Sequence, residues 1–332
     1  MLKKICGKLN ELTLYVRYCF IEEPYWHAFI SHYYNLGVRN INVIIQTRKD
    51  EKSFQSFYYP NDLNFNIHRV SNKTQVDHTW FEVSFKNKEK PTKYAILVDA
   101  DEFLYFLNPN ISLDELMNTD IKKIPWLMNP LSSIKSEKAG FFGNMYKEIA
   151  NYEKIKNIKN CHQFKLKNNF DFINLKVKNK NIIGQNHNFN YTYNNGVVLI
   201  HTWARSLNDC LIRGIFSRIK KNKNKDYKEI IENIKSGKLT VRSRYLAYLD
   251  IQNKYIKNLK TDFRDNFNYE KEMGFLNNFF TKKELLIFQE NFKIFKSNLK
   301  ENISILPKYP PTHNSIVKQI KELESFQYYS YK

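Results

Sequence analysis

The alternation of apolar and polar positions divides the first hundred residues into strands and helices. Leu12 to Phe20 is rich in β-branched and aromatic residues and reads as a strand. Glu22-Glu23-Pro24 reads as a helix start, because proline is tolerated in a first turn. From Tyr25 to Leu36, Trp26, Phe29, Ile30 and Tyr33 recur at helical spacing and predict a helix with one buried stripe. Gly37 closes it. Ile41 to Ile45 and Phe65 to Val70 predict a second and a third strand, and Val76 to Phe85 a helix. Tyr94 to Val98 predicts a buried strand that ends abruptly in Asp99-Ala100-Asp101-Glu102. This rhythm predicts an α/β fold, with a mostly parallel sheet flanked by helices. Such sheets bind ligands at the carboxyl ends of their strands, and Asp99 and Asp101 stand at one.

Further on, Ser112 to Met117 predicts a short helix, with Ser112 and Glu115 spaced as a capping box. Residues 126–203 read as β-rich and irregular, and Leu207 to about Ile234 as helical and basic. Thr281 to Leu299 predicts an amphipathic helix that opens on a second capping box, Thr281 with Glu284. Pro307, Pro310 and Pro311 precede a last helical stretch near Ile316 to Leu323. No internal repeat and no Gly/Ser-rich linker marks a boundary. The expected organisation is a catalytic domain over residues 1–220 and a helical C-terminal extension over 221–332.

Composition narrows the class. Over 332 residues, 42% are apolar and 15% aromatic, enough for a sizeable core, which excludes a disordered or fibrous chain. No stretch approaches the roughly 20 uninterrupted apolar residues of a membrane span. Lys8, Asn10 and Glu11 interrupt the start, so no secretory signal is expected. The four cysteines, Cys6, Cys19, Cys161 and Cys210, form no CxxC pair, which removes a zinc site of the usual spacing. Reduced thiols and a cytoplasmic location are expected. The formal charge of +20 has two readings. One is residue usage, since Lys greatly outnumbers Arg and Asn is abundant. The other is an anionic partner: nucleic acid, an anionic lipid surface or an acidic glycan.

The chemistry concentrates in Tyr94-Ala95-Ile96-Leu97-Val98-Asp99-Ala100-Asp101-Glu102-Phe103-Leu104. Three carboxylates within four residues repel one another unless a cation or hydrogen bonds compensate. Hard divalent cations such as Mg²⁺ or Mn²⁺ take oxygen ligands and bridge diphosphates. On an ideal strand Asp99 and Asp101 share one face, and Glu102 lies on the other.

With these residues in view, the chain resembles the family-2-like glycosyltransferases of the GT-A fold, in particular the branch similar to glycosyltransferase family 92. The resemblance rests on Val16-Arg17-Tyr18, Glu22-Glu23-Pro24-Tyr25, Leu36-Gly37-Val38, Trp80 and Asp99-Ala100-Asp101-Glu102-Phe103. It continues in Lys176, His187 and Val197-Val198-Leu199-Ile200-His201-Thr202-Trp203-Ala204-Arg205-Ser206, and covers roughly residues 12–220. Two departures stand out. Where these enzymes carry an Asp-rich turn after the second strand, this chain has Gln46-Thr47-Arg48-Lys49-Asp50. Their "HY" is His201-Thr202 here, with the aromatic displaced to Trp203.

The resemblance implies a metal-dependent hexosyltransferase with a nucleotide-sugar donor, UDP-linked, and a glycan or lipid-linked acceptor. The work it implies is bacterial surface polysaccharide or lipooligosaccharide synthesis. The implied metal set for Mn²⁺ or Mg²⁺ is Asp99, Asp101 and His201, with Asp101 as direct ligand and Asp99 at the ribose or in the outer shell. The implied donor contacts are Arg17, Glu22, Asp50, Asp99, Lys176, Arg205 and Ser206, with Gln46 and Arg213 as further candidates. His187 and Trp203 fall on the acceptor side. An inverting reaction needs a base for the acceptor hydroxyl, and Glu102, Glu137 and Glu148 qualify by position. Other readings of these residues stay open. Glu22 and Glu23 also suit a helix N-terminus, His201 a core strand end, His187 a turn, and Glu102 the holding of an Arg or Lys. Two rival functions are weighed against this one: a basic nucleic-acid-binding protein and a metal-dependent phosphohydrolase. The first lacks any RNP, KH or zinc-finger signature, so no nucleic-acid partner is expected. The second lacks further His and Asp motifs. The basic stretch from Leu207 through Lys228 suggests reversible contact with an anionic membrane at its inner face.

Overall fold

The structure is a computed structural model that describes residues 9–70, 77–86, 92–106, 112–117, 120–127, 146–160, 162–167, 197–202, 205–221, 227–236 and 267–301. The chain forms two compact units. One is Met1–Met128, Glu137–His201 and Thr261–Phe267; the other is Asn129–Ser136, Thr202–Lys260 and Asn268–Lys332.

The first unit is α/β. β1 (Leu12–Tyr18), β2 (Asn40–Ile45), β3 (Asn64–Arg69) and β4 (Tyr94–Asp99) alternate with α1 (Glu23–Asn35), α2 (Arg48–Gln55) and α3 (Asp77–Lys86). After β4 come β5 (Glu102–Phe106), the one-turn α4 (Leu113–Leu116), β6 (Ile121–Leu127), β7 (Tyr146–Asn151), β8 (Ile155–Asn160), β9 (Gln163–Leu166) and β10 (Val197–His201). Eight strands form one sheet in the order β3-β2-β1-β4-β7-β6-β10-β5, and β8 and β9 form a separate hairpin. The first four strands of that order run parallel. β7 is antiparallel to both β4 and β6. β10 runs parallel to β6 and antiparallel to β5. The expected parallel sheet is therefore one half of a mixed sheet. The chain steps outward from β1 to β2 to β3, then crosses back to lay β4 on the other side of β1. That reversal is a topological switch point, where open α/β sheets bind ligands.

Local chemistry explains the elements. α1 ends because Gly37 adopts φ 102°, open to a residue without a Cβ. Its N–H bonds the Tyr34 carbonyl and the Val38 N–H bonds that of Tyr33, the paired closure that satisfies the last carbonyls of a helix. The capping box of Ser112 and Glu115 forms as expected. So does that of Thr281 and Glu284, with Glu284 accepting from the Thr281 N–H and the Thr281 hydroxyl accepting from the Glu284 N–H. α1 presses Tyr25, Trp26, Phe29 and Tyr33 into the core. On α3 and the β8–β9 hairpin, Phe81, Phe85, Ile155, Ile158 and Phe164 pack with Tyr15, Ala95 and Leu97 of the sheet.

The second unit contains α5 (Leu207–Lys221), α6 (Tyr227–Lys235), α7 (Tyr269–Leu276) and α8 (Lys282–Glu301). The basic stretch expected as one helix thus holds two. Leu211, Ile212 and Ile215 of α5 are buried, and Lys228 of α6 is exposed. The tail from residue 302, with the prolines and the expected helix at Ile316 to Leu323, lies outside the described residues. Among the described residues, Cys19 and Cys210 are free thiols, and no helix is long and apolar enough to cross a membrane.

Candidate active site

The switch point brings β1 and β4 together with Arg17 directly beside Asp99 in the parallel register. β4 stops at Asp99, the chain turns through Ala100 and Asp101, and β5 begins at Glu102. This turn corrects the ideal-strand expectation that sends Glu102 away from the two aspartates. The chain reverses its local direction, and Glu102 Oε2 accepts the Asp99 N–H at 2.7 Å. α1 holds the start of β5 in place. The Tyr33 hydroxyl donates to the Glu102 carbonyl at 2.9 Å and accepts from the Leu104 N–H at 3.2 Å. The His32 imidazole also bonds the Leu104 carbonyl at 2.9 Å, and burial lowers its pKa to about 4, so the ring is neutral.

The charge that compensates the carboxylates is Lys147, on β7. Its side chain is 0% exposed, and its Nζ lies 3.0 Å from Asp99 Oδ2 and 3.3 Å from Glu102 Oε2. Burial raises the Asp99 carboxyl, but Lys147 and Arg17 outweigh burial and the nearby Asp101, and the net direction is down. Asp99 is therefore a carboxylate at neutral pH. For Glu102 the balance reverses. Complete burial dominates, the negative Asp99 and Asp101 add to it, and the carboxyl rises well above its ordinary range despite Lys147. Among the described residues Glu102 Oε1 meets no hydrogen-bond donor.

β10 supplies the third element. His201 is its last residue and pairs with Glu102 across the antiparallel ladder. Its Nε2 lies 3.4 Å from Asp101 Oδ1, and both side chains are 7% exposed. Among the described residues no three His, Cys, Asp or Glu side chains converge to cage a metal by themselves. Mg²⁺ and Mn²⁺ do not need such a cage. They keep waters and bind through one or two carboxylates plus substrate phosphates. The Asp101–His201 pair offers one carboxylate and one imidazole nitrogen side by side, and Asp99, with 38% of its side chain exposed, adds negative charge next to them. The residues present fit a hard divalent cation that a diphosphate helps to hold.

The other expected residues are placed as follows. Glu22 is buried at the end of a 3-10 turn that leads into α1, and Glu23 sits in the first turn of α1 and accepts from the Ser53 hydroxyl at 2.8 Å. Asp50 is buried, and both its oxygens are used locally. Oδ2 accepts from the Thr47 N–H at 2.9 Å and the Thr47 hydroxyl at 2.7 Å, and Oδ1 accepts from the Phe20 N–H at 2.8 Å. It therefore caps α2 and pins the chain that leaves β1. Gln46 directly precedes that cap. Glu148, next to Lys147, turns the other way and accepts the Phe164 N–H at 2.8 Å. Lys176, His187, Trp203 and Glu137 lie outside the described residues.

In the second unit, Ser206 precedes α5 and caps it, its hydroxyl accepting the Asp209 N–H at 2.9 Å and donating to Glu272 at 2.6 Å. Arg205 is buried; its N–H bonds Asp209 and its Nε reaches the Thr202 hydroxyl at 3.4 Å. Arg213 pairs with Asp209 at 3.0 Å, one turn back on α5.

Lys147 is the residue of the cluster that sequence reasoning missed. It lies 48 positions from Asp99 on an antiparallel strand within a stretch legible only as β-rich, and nothing local distinguishes it from the other lysines. The fold and the cluster define an α/β protein with a compensated carboxylate site at a sheet switch point. The chain matches no protein-family model and no curated protein.

Proposed function

We propose that the protein is a metal-dependent glycosyltransferase of the GT-A type. In this reading it moves a sugar from a nucleotide-sugar donor, UDP-linked, to a saccharide or lipid-linked acceptor during synthesis of a bacterial surface polysaccharide or lipooligosaccharide. The observation that carries the reading is the meeting of Asp99, Asp101 and His201 at the β1/β4 switch point. The motif resemblance over roughly residues 12–220 supports it. The assignment of residues 1–220 as a GT-A domain and 221–332 as a helical C-terminal extension belongs to the same proposal. So does a cytoplasmic location, peripheral at the inner face of the membrane.

Asp101 and His201 would hold Mn²⁺ or Mg²⁺, whose Lewis acidity offsets the charge that develops on the diphosphate as it leaves. Asp99 presents an ionised, half-exposed carboxylate where a donor ribose or a bound water can be hydrogen-bonded. Arg17 sits beside it as a positive charge at the end of β1. Glu102 has no exposed surface and is committed to Lys147 and the Asp99 N–H, so its role is to hold the turn rather than to deprotonate an acceptor. Arg205 and Ser206, engaged in local bonds, serve the start of α5.

The test is turnover. Release of nucleoside diphosphate from a nucleotide sugar requires Mn²⁺ or Mg²⁺ and falls at least ~10²-fold in Asp101→Asn, the scale of a lost electrostatic contact at the reacting centre. The variant keeps its melting temperature, since removing one of several like charges does not destabilise the turn. Retained turnover with unchanged metal dependence contradicts the reading.

A further inference from the structure

Two carboxylates stand near the expected cation, yet they are held very differently. Asp101 lies beside the His201 imidazole, while Asp99 is ion-paired to a lysine that has no contact with solvent. A buried ammonium is costly unless paired and hydrogen-bonded, and Lys147 has both Asp99 Oδ2 and Glu102 Oε2 within 3.3 Å. Glu102 is in turn fixed by the Asp99 N–H. Lys147, Glu102 and Asp99 therefore form a closed triangle in which each member holds the next. For Asp99 to ligate a cation through Oδ2, its ion pair must open and leave the buried Lys147 with one carboxylate partner fewer. Asp101 pays no such cost, since the group beside it is itself a metal ligand type.

We propose that Lys147 is a positioning residue that divides the labour between the two aspartates: its ion pair withholds Asp99 from direct cation ligation, so the cation falls to Asp101 with His201. This rests on the cation site of the proposed function and deepens it. Lys147 touches neither donor nor metal in this scheme. It acts as a resident positive charge that offsets the carboxylate repulsion before any divalent ion arrives. It also keeps Asp99 oriented for a hydrogen-bonding role.

The experiment is a titration of the full chain with Mn²⁺ alone, read by the loss of the free-ion signal in electron paramagnetic resonance. Lys147→Met by itself leaves Glu102 buried against the aspartates and risks the fold. The informative variant is therefore Lys147→Met with Glu102→Gln. It replaces the buried pair by neutral groups of similar size, an exchange that is often near neutral for stability. Released from Lys147, Asp99 becomes a second carboxylate ligand, and Mn²⁺ binds about tenfold more tightly than to the wild type, the scale of one added ligand interaction. Adding Asp99→Asn to that variant removes the gain. A purely structural Lys147 would lower the melting temperature and leave Mn²⁺ affinity unchanged. An unchanged or weaker Mn²⁺ affinity in the folded double variant overturns the proposal, as does a gain that survives Asp99→Asn. If the wild type takes up no Mn²⁺, or takes it up equally in Asp101→Asn, the cation reading itself fails and this inference fails with it.

Discussion

Two adjacent residues on β7 carry charge to different places. Lys147 reaches Asp99 and Glu102, and Glu148 reaches the hairpin strand at Phe164. The cause is the period of two along a strand, which sends neighbours to opposite faces. Lys147 finds two carboxylate partners. Glu148 finds one N–H donor, and among the described residues its Oε1 finds none. Burial therefore pushes the Glu148 carboxyl up from 4.5 to about 7, against the pull of the Phe164 N–H, Lys123 and Lys159. Because the folded value lies above the unfolded one, folding favours the protonated form. The associated stability is complete below the unfolded value of 4.5 and is lost as pH rises through about 7. The loss amounts to about 3 kcal/mol for a shift of that size. Glu148→Gln keeps an acceptor for Phe164 and carries no charge. Denaturant melts at pH 4.5 and pH 8 should show the variant losing less stability than the wild type over that interval, by up to ~3 kcal/mol. Equal pH profiles for the two proteins contradict the assignment.

At the scale of elements, the parallel half of the sheet was legible and the mixed half was not. β1 to β4, α1 and α3 announce themselves by periodicity and punctuation, and the capping boxes at Ser112 and Thr281 by their spacing. α2 was missed although Thr47 and Asp50 stand at capping-box spacing. The reason is that Arg48, Lys49, Asp50, Glu51 and Lys52 give it no apolar stripe. Phe54 alone among its residues is a buried apolar anchor. β7 to β10 were legible only as part of an irregular β-rich stretch, and β5 and β6, which lie ahead of it, were not legible as strands, because strands that pair far along the chain carry no local register signal. The carboxylate motif was legible, as was its position at a strand end. Of the partners of the motif, His201 was legible through the family resemblance, whereas Lys147 was not, since it reaches the motif through non-local pairing. Asp50 shows the converse. Its spacing supports both a nucleotide contact and a helix cap, and the bonds to Thr47 and Phe20 give it the second role. Asp50→Ala should destabilise the protein by about 1–3 kcal/mol, the cost of a lost cap plus an orphaned N–H. It should leave the metal-dependent affinity for UDP unchanged. Calorimetric melts beside a UDP titration separate this from a donor-binding role, which would cost affinity without loss of stability.

For the whole molecule, an excess of 20 positive charges is an argument about association with anionic surfaces, not about the fold. Lysines concentrated near an anionic bilayer contribute up to ~1 kcal/mol each, screened within a Debye length of ~8 Å at physiological salt. The protein should therefore sediment with vesicles that contain anionic lipid and not with neutral ones, and should release as salt rises. Equal partitioning to both, or none, would leave the charge as residue usage. The proposed cation-dependent nucleotide site is tested most directly by thermal shift with UDP in the presence and absence of Mn²⁺. A ligand at 100 times its dissociation constant stabilises the folded state by about 2.7 kcal/mol. The expected result is that UDP raises the melting temperature only when Mn²⁺ is present, and that Asp101→Asn abolishes the shift. A shift that is independent of Mn²⁺, or that persists in Asp101→Asn, would contradict it.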